Sequence, residues 1–132
     1  MSYNLLIVDD SPITRKVVKR AISMTGLEVG TVHEAQDGVE ALEVLGSQWV
    51  DIVFADLNMP RMSGVELIAK MAEGHLLEDI PVIVITSDRN QLRLAELQDR
   101  GVSAHLNKPF RPEDLREVMS RVLGNKAGGV HG

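Results

Sequence analysis

Five polar residues stand directly after short apolar runs. Asp9 and Asp10 follow Leu5-Leu6-Ile7-Val8, Asp56 follows Ile52-Val53-Phe54-Ala55, Thr86 follows Pro81-Val82-Ile83-Val84-Ile85, and Lys108 follows the stretch from Ser103 to Asn107. In an open parallel sheet, ligands and chemistry sit outside the carboxyl ends of the strands. Three carboxylates gathered there repel one another and call for a cation. Oxygen-only ligands suit a hard ion, and Mg²⁺ typically takes one or two carboxylates together with waters and a substrate phosphate. A lysine beside such a site offsets the charge of an incoming phosphoryl group, and a hydroxyl donates to one of its equatorial oxygens. The set reads as Mg²⁺-assisted phosphoryl transfer with a carboxylate as a possible acceptor.

Apolar runs and amphipathic stretches alternate five times along the chain, and this alternation must position those groups. After Asp9-Asp10, Ser11-Pro12 starts a helix whose expected inner face is Ile13, Val17, Ala21 and Met24, and Gly26 stops it. A weaker strand runs from Glu28 to Glu34. Asp37 and Glu40 form a capping box for a helix burying Val39, Leu42 and Leu45. The strand from Val50 to Ala55 ends at Asp56. Ser63 and Glu66 then cap a helix with Val65, Ile68 and Met71 inward, ending at Gly74. Pro81 to Ile85 is β-branched and the clearest strand. The mostly polar helix after it turns Leu94 and Leu97 inward and closes at Gly101. A last strand, Ser103 to Asn107, leads to a helix opening at Pro112 that buries Leu115, Val118, Met119 and Val122. Continuous apolar strands are buried on both faces, so the expected fold is α/β: a five-stranded parallel sheet with helices on both sides, flavodoxin-like (βα)5, strand order 2-1-3-4-5. A single domain over residues 1–124 and a flexible tail over 125–132 are expected.

Composition narrows the function classes. A formal net charge of −5 over 132 residues argues against nucleic acid as a direct partner. There is no cysteine, hence no thiolate metal site or disulfide. No apolar run approaches the ~20 residues needed to cross a bilayer, and no leader peptide is legible, so a cytoplasmic protein without membrane insertion is expected. Aromatics are few: Tyr3, Trp49, Phe54 and Phe110. The core must be aliphatic, with Trp49 expected to pack before the third strand. His33, His75 and His131 show no metal-ligand spacing.

Asp9-Asp10, Asp56, Thr86-Ser87 and Lys108-Pro109-Phe110, in this order and at these spacings, resemble the response-regulator receiver domain of two-component signalling, of the chemotaxis type. The resemblance covers about residues 4–123. The 2-1-3-4-5 order is that family's own. The resemblance implies that Asp56 accepts a phosphoryl group from the phosphohistidine of a histidine kinase or histidine phosphotransfer protein. Asp10, Asp56 and the backbone carbonyl of Asn58 would bind Mg²⁺, with Asp9 acting through a metal-bound water. Lys108 would pair with the phosphoryl group through a cis peptide to Pro109, and Thr86 would move to hydrogen-bond it. Asn58 and Asp88 occupy the positions that tune phosphoryl lifetime. His105 stands where the family usually places an aromatic switch, which opens the way to pH sensitivity. Arg111 replaces the short capping residue expected before Pro112. The signal would leave through a protein-binding face made by the fourth helix, fifth strand and fifth helix, toward a downstream protein.

Two other classes fit the residues less well. An aspartate-nucleophile phosphatase of the dehalogenase type needs a second acid two residues after the nucleophile, and Asn58 cannot donate that proton. A flavodoxin needs a Ser/Thr/Gly-rich phosphate loop after the first strand, where Asp9-Asp10-Ser11-Pro12 is acidic. A receiver that no longer takes phosphate is argued against by the intact set of five. The glycine-rich end also fits a receiver cut from a larger regulator at a linker.

Overall fold

The computed structural model describes residues 2–131, with side chains described for 2–124, so the tail expected over 125–132 lies outside the residues described in full. The elements are β1 (Tyr3–Val8), α1 (Pro12–Ser23), β2 (Val29–Ala35), α2 (Gly38–Ser47), β3 (Ile52–Ala55), α3 (Gly64–Glu73), a 3-10 turn (Leu76–Glu78), β4 (Val82–Thr86), α4 (Gln91–Arg100), β5 (Ala104–Asn107) and α5 (Pro112–His131). The strands form one sheet in the order β2-β1-β3-β4-β5, every pairing parallel. No helix among the described residues is long and apolar enough to cross a membrane.

Side chains alternate across a strand, so each strand serves both layers. Leu5, Ile7, Ile52, Phe54, Ile83 and Ile85 pack against Val18, Ala21 and Ile22 of α1 and Leu115, Val118 and Met119 of α5. Leu6, Val8, Val53, Ala55, Val82 and Val84 face Ala41 of α2, Leu67, Ile68 and Met71 of α3, and Leu94 and Leu97 of α4. The three central strands, buried on both faces, are therefore the unbroken apolar runs seen in the sequence.

Local signals start and stop the helices. The Ser11 side chain accepts from the Thr14 N–H at 3.2 Å, with Pro12 in the first turn. Ser63 and Glu66 exchange both bonds of a capping box. Such a cap contributes about 1 kcal/mol. At α5, Arg111 offers no capping oxygen. Instead its N–H donates to Asp114 Oδ2 at 3.0 Å, and its guanidinium folds onto the same carboxylate. Gly101, at φ 119°, ends α4 in the left-handed region.

Three expectations fail. The capping box at α2 is only half made: Asp37 accepts from the Glu40 N–H, but Glu40 Oε1 accepts from the Gln36 N–H at 3.0 Å rather than from Asp37. The stripe Ile13, Val17 and Met24 faces outward: these residues are 76%, 54% and 54% exposed, while Val18, Ala21 and Ile22 are buried. Helix α1 carries two apolar stripes about 100° apart, and only one can meet the sheet. Trp49 does not pack either. It is 76% exposed, in the loop beyond the end of α2, and its indole Nε1 donates to Asp51 Oδ1 at 3.0 Å.

Candidate phosphoryl-acceptor site

Register brings the acids together. Val8 pairs with Ala55, so the residues that follow, Asp9 and Asp56, emerge side by side from adjacent strands. The strand ladder continues through their backbones: the Asp56 N–H donates to the Val8 carbonyl at 2.9 Å, and the Asp9 N–H to the Ala35 carbonyl at 3.0 Å. One carboxylate oxygen from each of Asp9, Asp10 and Asp56 lies within 4.8 Å of the others. Asp9 is buried, Asp56 partly so, and Asp10 is exposed.

Lys108 arrives from the other side of the sheet. Thr86 pairs with Asn107, and the Lys108 N–H donates to the Thr86 carbonyl at 2.9 Å. The Lys108–Pro109 peptide is cis, as expected from the resemblance. Lys108 Nζ donates to Asp9 Oδ2 at 2.9 Å and to Asp56 Oδ2 at 3.2 Å. Burial pushes its ammonium toward a lower pKa, but the hydrogen bond to Asp9 and the charges of Asp56 and Asp9 outweigh this and raise it. A buried carboxylate such as Asp9 needs such a partner.

Asp9 and Asp56 are also held by backbone. Asp9 Oδ1 accepts from the Ser11 N–H at 2.9 Å, and Asp56 Oδ1 from the Leu57 N–H at 2.7 Å. Three oxygen donors, no nitrogen or sulfur ligand and one exposed carboxylate make a set that fits a hard divalent cation keeping part of its water.

Thr86 is fully buried, and its Oγ1 accepts from the Asp88 N–H at 3.1 Å. Asp88 turns toward the start of α4: it accepts from the Asn90 N–H at 2.9 Å and pairs with Arg93. Those contacts hold its carboxyl below the usual range, the Asn90 backbone bond contributing most. Asn58 is exposed in the loop after Asp56. His105 is exposed on β5 beside a cavity of about 210 Å³ lined by Val84, Leu94, Leu97 and Val102.

Three supporting residues carried no functional reading in the sequence. Arg15 donates to the Asp9 carbonyl at 2.6 Å and to Glu34 Oε1 at 2.9 Å, clasping the end of β1. Arg15 and Lys19 hold the Glu34 carboxyl below the usual range, Lys19 more strongly. Gly64 lies so close to the end of β3 that a Cβ there would stand 2.0 Å from the Asp56 carbonyl oxygen. Asn107 Oδ1 is a buried acceptor with no partner among the described residues, next to Thr86 in the sheet. A polar residue closing an apolar strand beside Lys108 was the only sequence sign of it.

A doubly wound parallel sheet with three acids, a lysine and a hydroxyl at the carboxyl ends of its central strands and at β5 defines the class of protein. Residues 5–120 match the response regulator receiver domain family, and the chain belongs to it. It is 35% identical over 125 residues to a chemotaxis protein CheY homolog of Campylobacter jejuni, covering 94% of this chain and 95% of that protein. It is 36% identical over 121 residues to chemotaxis protein CheY1 of Helicobacter pylori, covering 91% of this chain and 96% of that one. Among solved structures, chemotaxis response regulator CheY4 of Vibrio cholerae superposes with a TM-score of 0.79 at 30% identity, covering 92% of this chain and 99% of that one. The protein is a CheY-type receiver domain.

Proposed function

We propose that this receiver is a phosphoryl-accepting signalling protein, acting in the cytoplasm, whose acceptor is Asp56 and whose donor is the phosphohistidine of a histidine kinase or histidine phosphotransfer protein. One observation carries this reading: Lys108 Nζ bridges Asp9 Oδ2 and Asp56 Oδ2 at 2.9 and 3.2 Å within a cluster of three carboxylates. A preplaced ammonium at the acceptor oxygen is what a transferring phosphoryl group requires, since catalysis here is mostly positioning and charge stabilisation. An Asp56 oxygen bonds to phosphorus as the phosphorus–nitrogen bond breaks, and the departing imidazole nitrogen keeps that bond's electron pair. Lys108 moves its hydrogen bond from the acceptor carboxylate to the phosphoryl oxygens. Asp10, Asp56 and the Asn58 carbonyl would hold Mg²⁺ directly, with Asp9 acting through water. When bound, the ion supplies neutralisation of the phosphoryl charge.

The signal leaves through Thr86. Its hydroxyl exchanges the Asp88 N–H for a phosphoryl oxygen, and His105 turns from solvent toward the cavity between β4, α4 and β5. Phosphorylation so biases an existing two-state equilibrium and reshapes the α4–β5–α5 face for a downstream protein. Asn58 orients the water that later removes the phosphoryl group. For Asp88 to share that task, its carboxylate must first leave Arg93.

The test is a phosphorylation assay on the intact protein with Mg²⁺ and a small phosphodonor such as acetyl phosphate, read by mass and peptide mapping. One phosphoryl group on Asp56 is expected, absent from Asp56→Asn and without Mg²⁺. Labelling that persists in Asp56→Asn overturns the assignment.

A further inference from the structure

We infer that Asp37 and Arg61 form a positioning pair that fixes the loop between β3 and α3 and thereby sets how tightly the acid pocket holds Mg²⁺. The inference rests on the Mg²⁺ reading above. Asp37 is 1% exposed, although it lies outside the acid cluster. One of its oxygens caps α2 by accepting from the Glu40 N–H at 2.9 Å, and the other accepts from Arg61 Nε at 2.8 Å. Arg61 reaches it from a left-handed backbone, φ 63°, a conformation uncommon for a long side chain. The bond to Arg61 is the main reason the Asp37 carboxyl lies below its usual range.

A second link runs beside the first. The Gly38 N–H at the start of α2 donates to the Met62 carbonyl at 3.0 Å. A Cβ at Gly38 would meet the Met62 side chain at 2.6 Å, so the first turn of α2 and the loop are in close contact. The other end of the loop is fastened to the acceptor strand. Leu57 donates to Asp56 Oδ1 at 2.7 Å, and the Gly64 N–H donates to the Leu57 carbonyl at 2.8 Å.

Asn58 lies between these two anchorages, and its backbone carbonyl is the ligand that only the path of the loop can aim. Arg61 is half exposed, and an ordinary surface pair would contribute little. Here the partner carboxylate is buried, so the pair holds one loop geometry rather than several. Neither residue belongs to the acid cluster; they act through the position of Asn58. Groups that orient metal ligands are worth roughly 10-fold or more in metal affinity.

Arg61→Gly is the decisive variant, because it removes the whole side chain, guanidinium included, while keeping the left-handed backbone accessible. Mg²⁺ binding is measured calorimetrically on the intact protein, with thermal unfolding recorded in parallel. Mg²⁺ affinity is expected to fall about 10-fold in Arg61→Gly and in Asp37→Asn, partly recover in Arg61→Lys, and stay at wild type in Lys70→Ala, which removes an exposed ion pair elsewhere. Unchanged Mg²⁺ affinity in Arg61→Gly and Asp37→Asn, whatever happens to the unfolding temperature, overturns the inference and leaves the pair a stabilising contact only. If wild type itself takes up no Mg²⁺, the metal reading above fails, and this inference falls with it.

Discussion

The two loops that flank Asp56 are built in opposite ways. The one between β3 and α3 begins at Leu57, 1% exposed, and is tied by Arg61 to Asp37, which is equally buried. It closes where Gly64 presses on the Asp56 carbonyl. The one between β4 and α4 is held by Asp88 with Arg93 and by Asn90 capping Arg93, contacts made near the surface. Buried contacts resist rearrangement, whereas exposed ones are cheap to exchange for water. Under the proposed function, the first loop would aim a metal ligand and gain from rigidity, and the second would follow Thr86 and gain from the lack of it.

Substitutions on each side test the contrast. The largest effect is expected from Gly64→Ala. A Cβ 2.0 Å from a backbone oxygen cannot be accommodated by a side-chain rotation, so the loop must lift from β3, at a cost of about 3 kcal/mol or more. Urea unfolding measures this, and a loss under about 1 kcal/mol would show that the loop yields.

A middle-sized effect concerns acid. The Asp37 carboxyl is lowered from its ordinary value of 3.8, chiefly by the bond to Arg61. A depressed carboxylate contributes stability that is fully present above its unfolded value and is lost as pH falls through the folded one. Wild type should therefore lose stability below about pH 4 more steeply than Asp37→Asn, which keeps a capping oxygen but cannot titrate. Parallel acid limbs in denaturation curves would break the contrast.

The smallest effect is expected on the other loop. Arg93→Ala removes an exposed pair, so stability should fall by less than about 1 kcal/mol, and the difference should shrink further in high salt. A larger, salt-insensitive loss would make the two loops alike.

Much of this was legible in the chain. The strands of the sheet centre are continuous apolar runs because both faces are covered, and Asp9, Asp10, Asp56, Thr86 and Lys108 stand at the run ends. The caps at Ser63 and Asp37 involve neighbours three residues apart, so they too could be read directly. The second function of Asp37 could not: its partner is 24 residues away, and nothing about an arginine in a loop signals it. Asp88 shows the reverse case: its position points to the site, while its pairing with Arg93 is seen only in the fold.

The sequence by itself determined the order of elements, the chemistry at the strand ends and most of the helix boundaries, because those depend on periodicity and on contacts within one turn. Only the tertiary structure decided which stripe of α1 is buried, Val18 and Ile22 rather than Ile13 and Val17, and that Trp49 stays outside. It alone showed that Gly64 must lack a side chain and that Arg61 closes on Asp37. These depend on how separately formed elements meet in space, where the nearest neighbour is set by packing and not by distance along the chain.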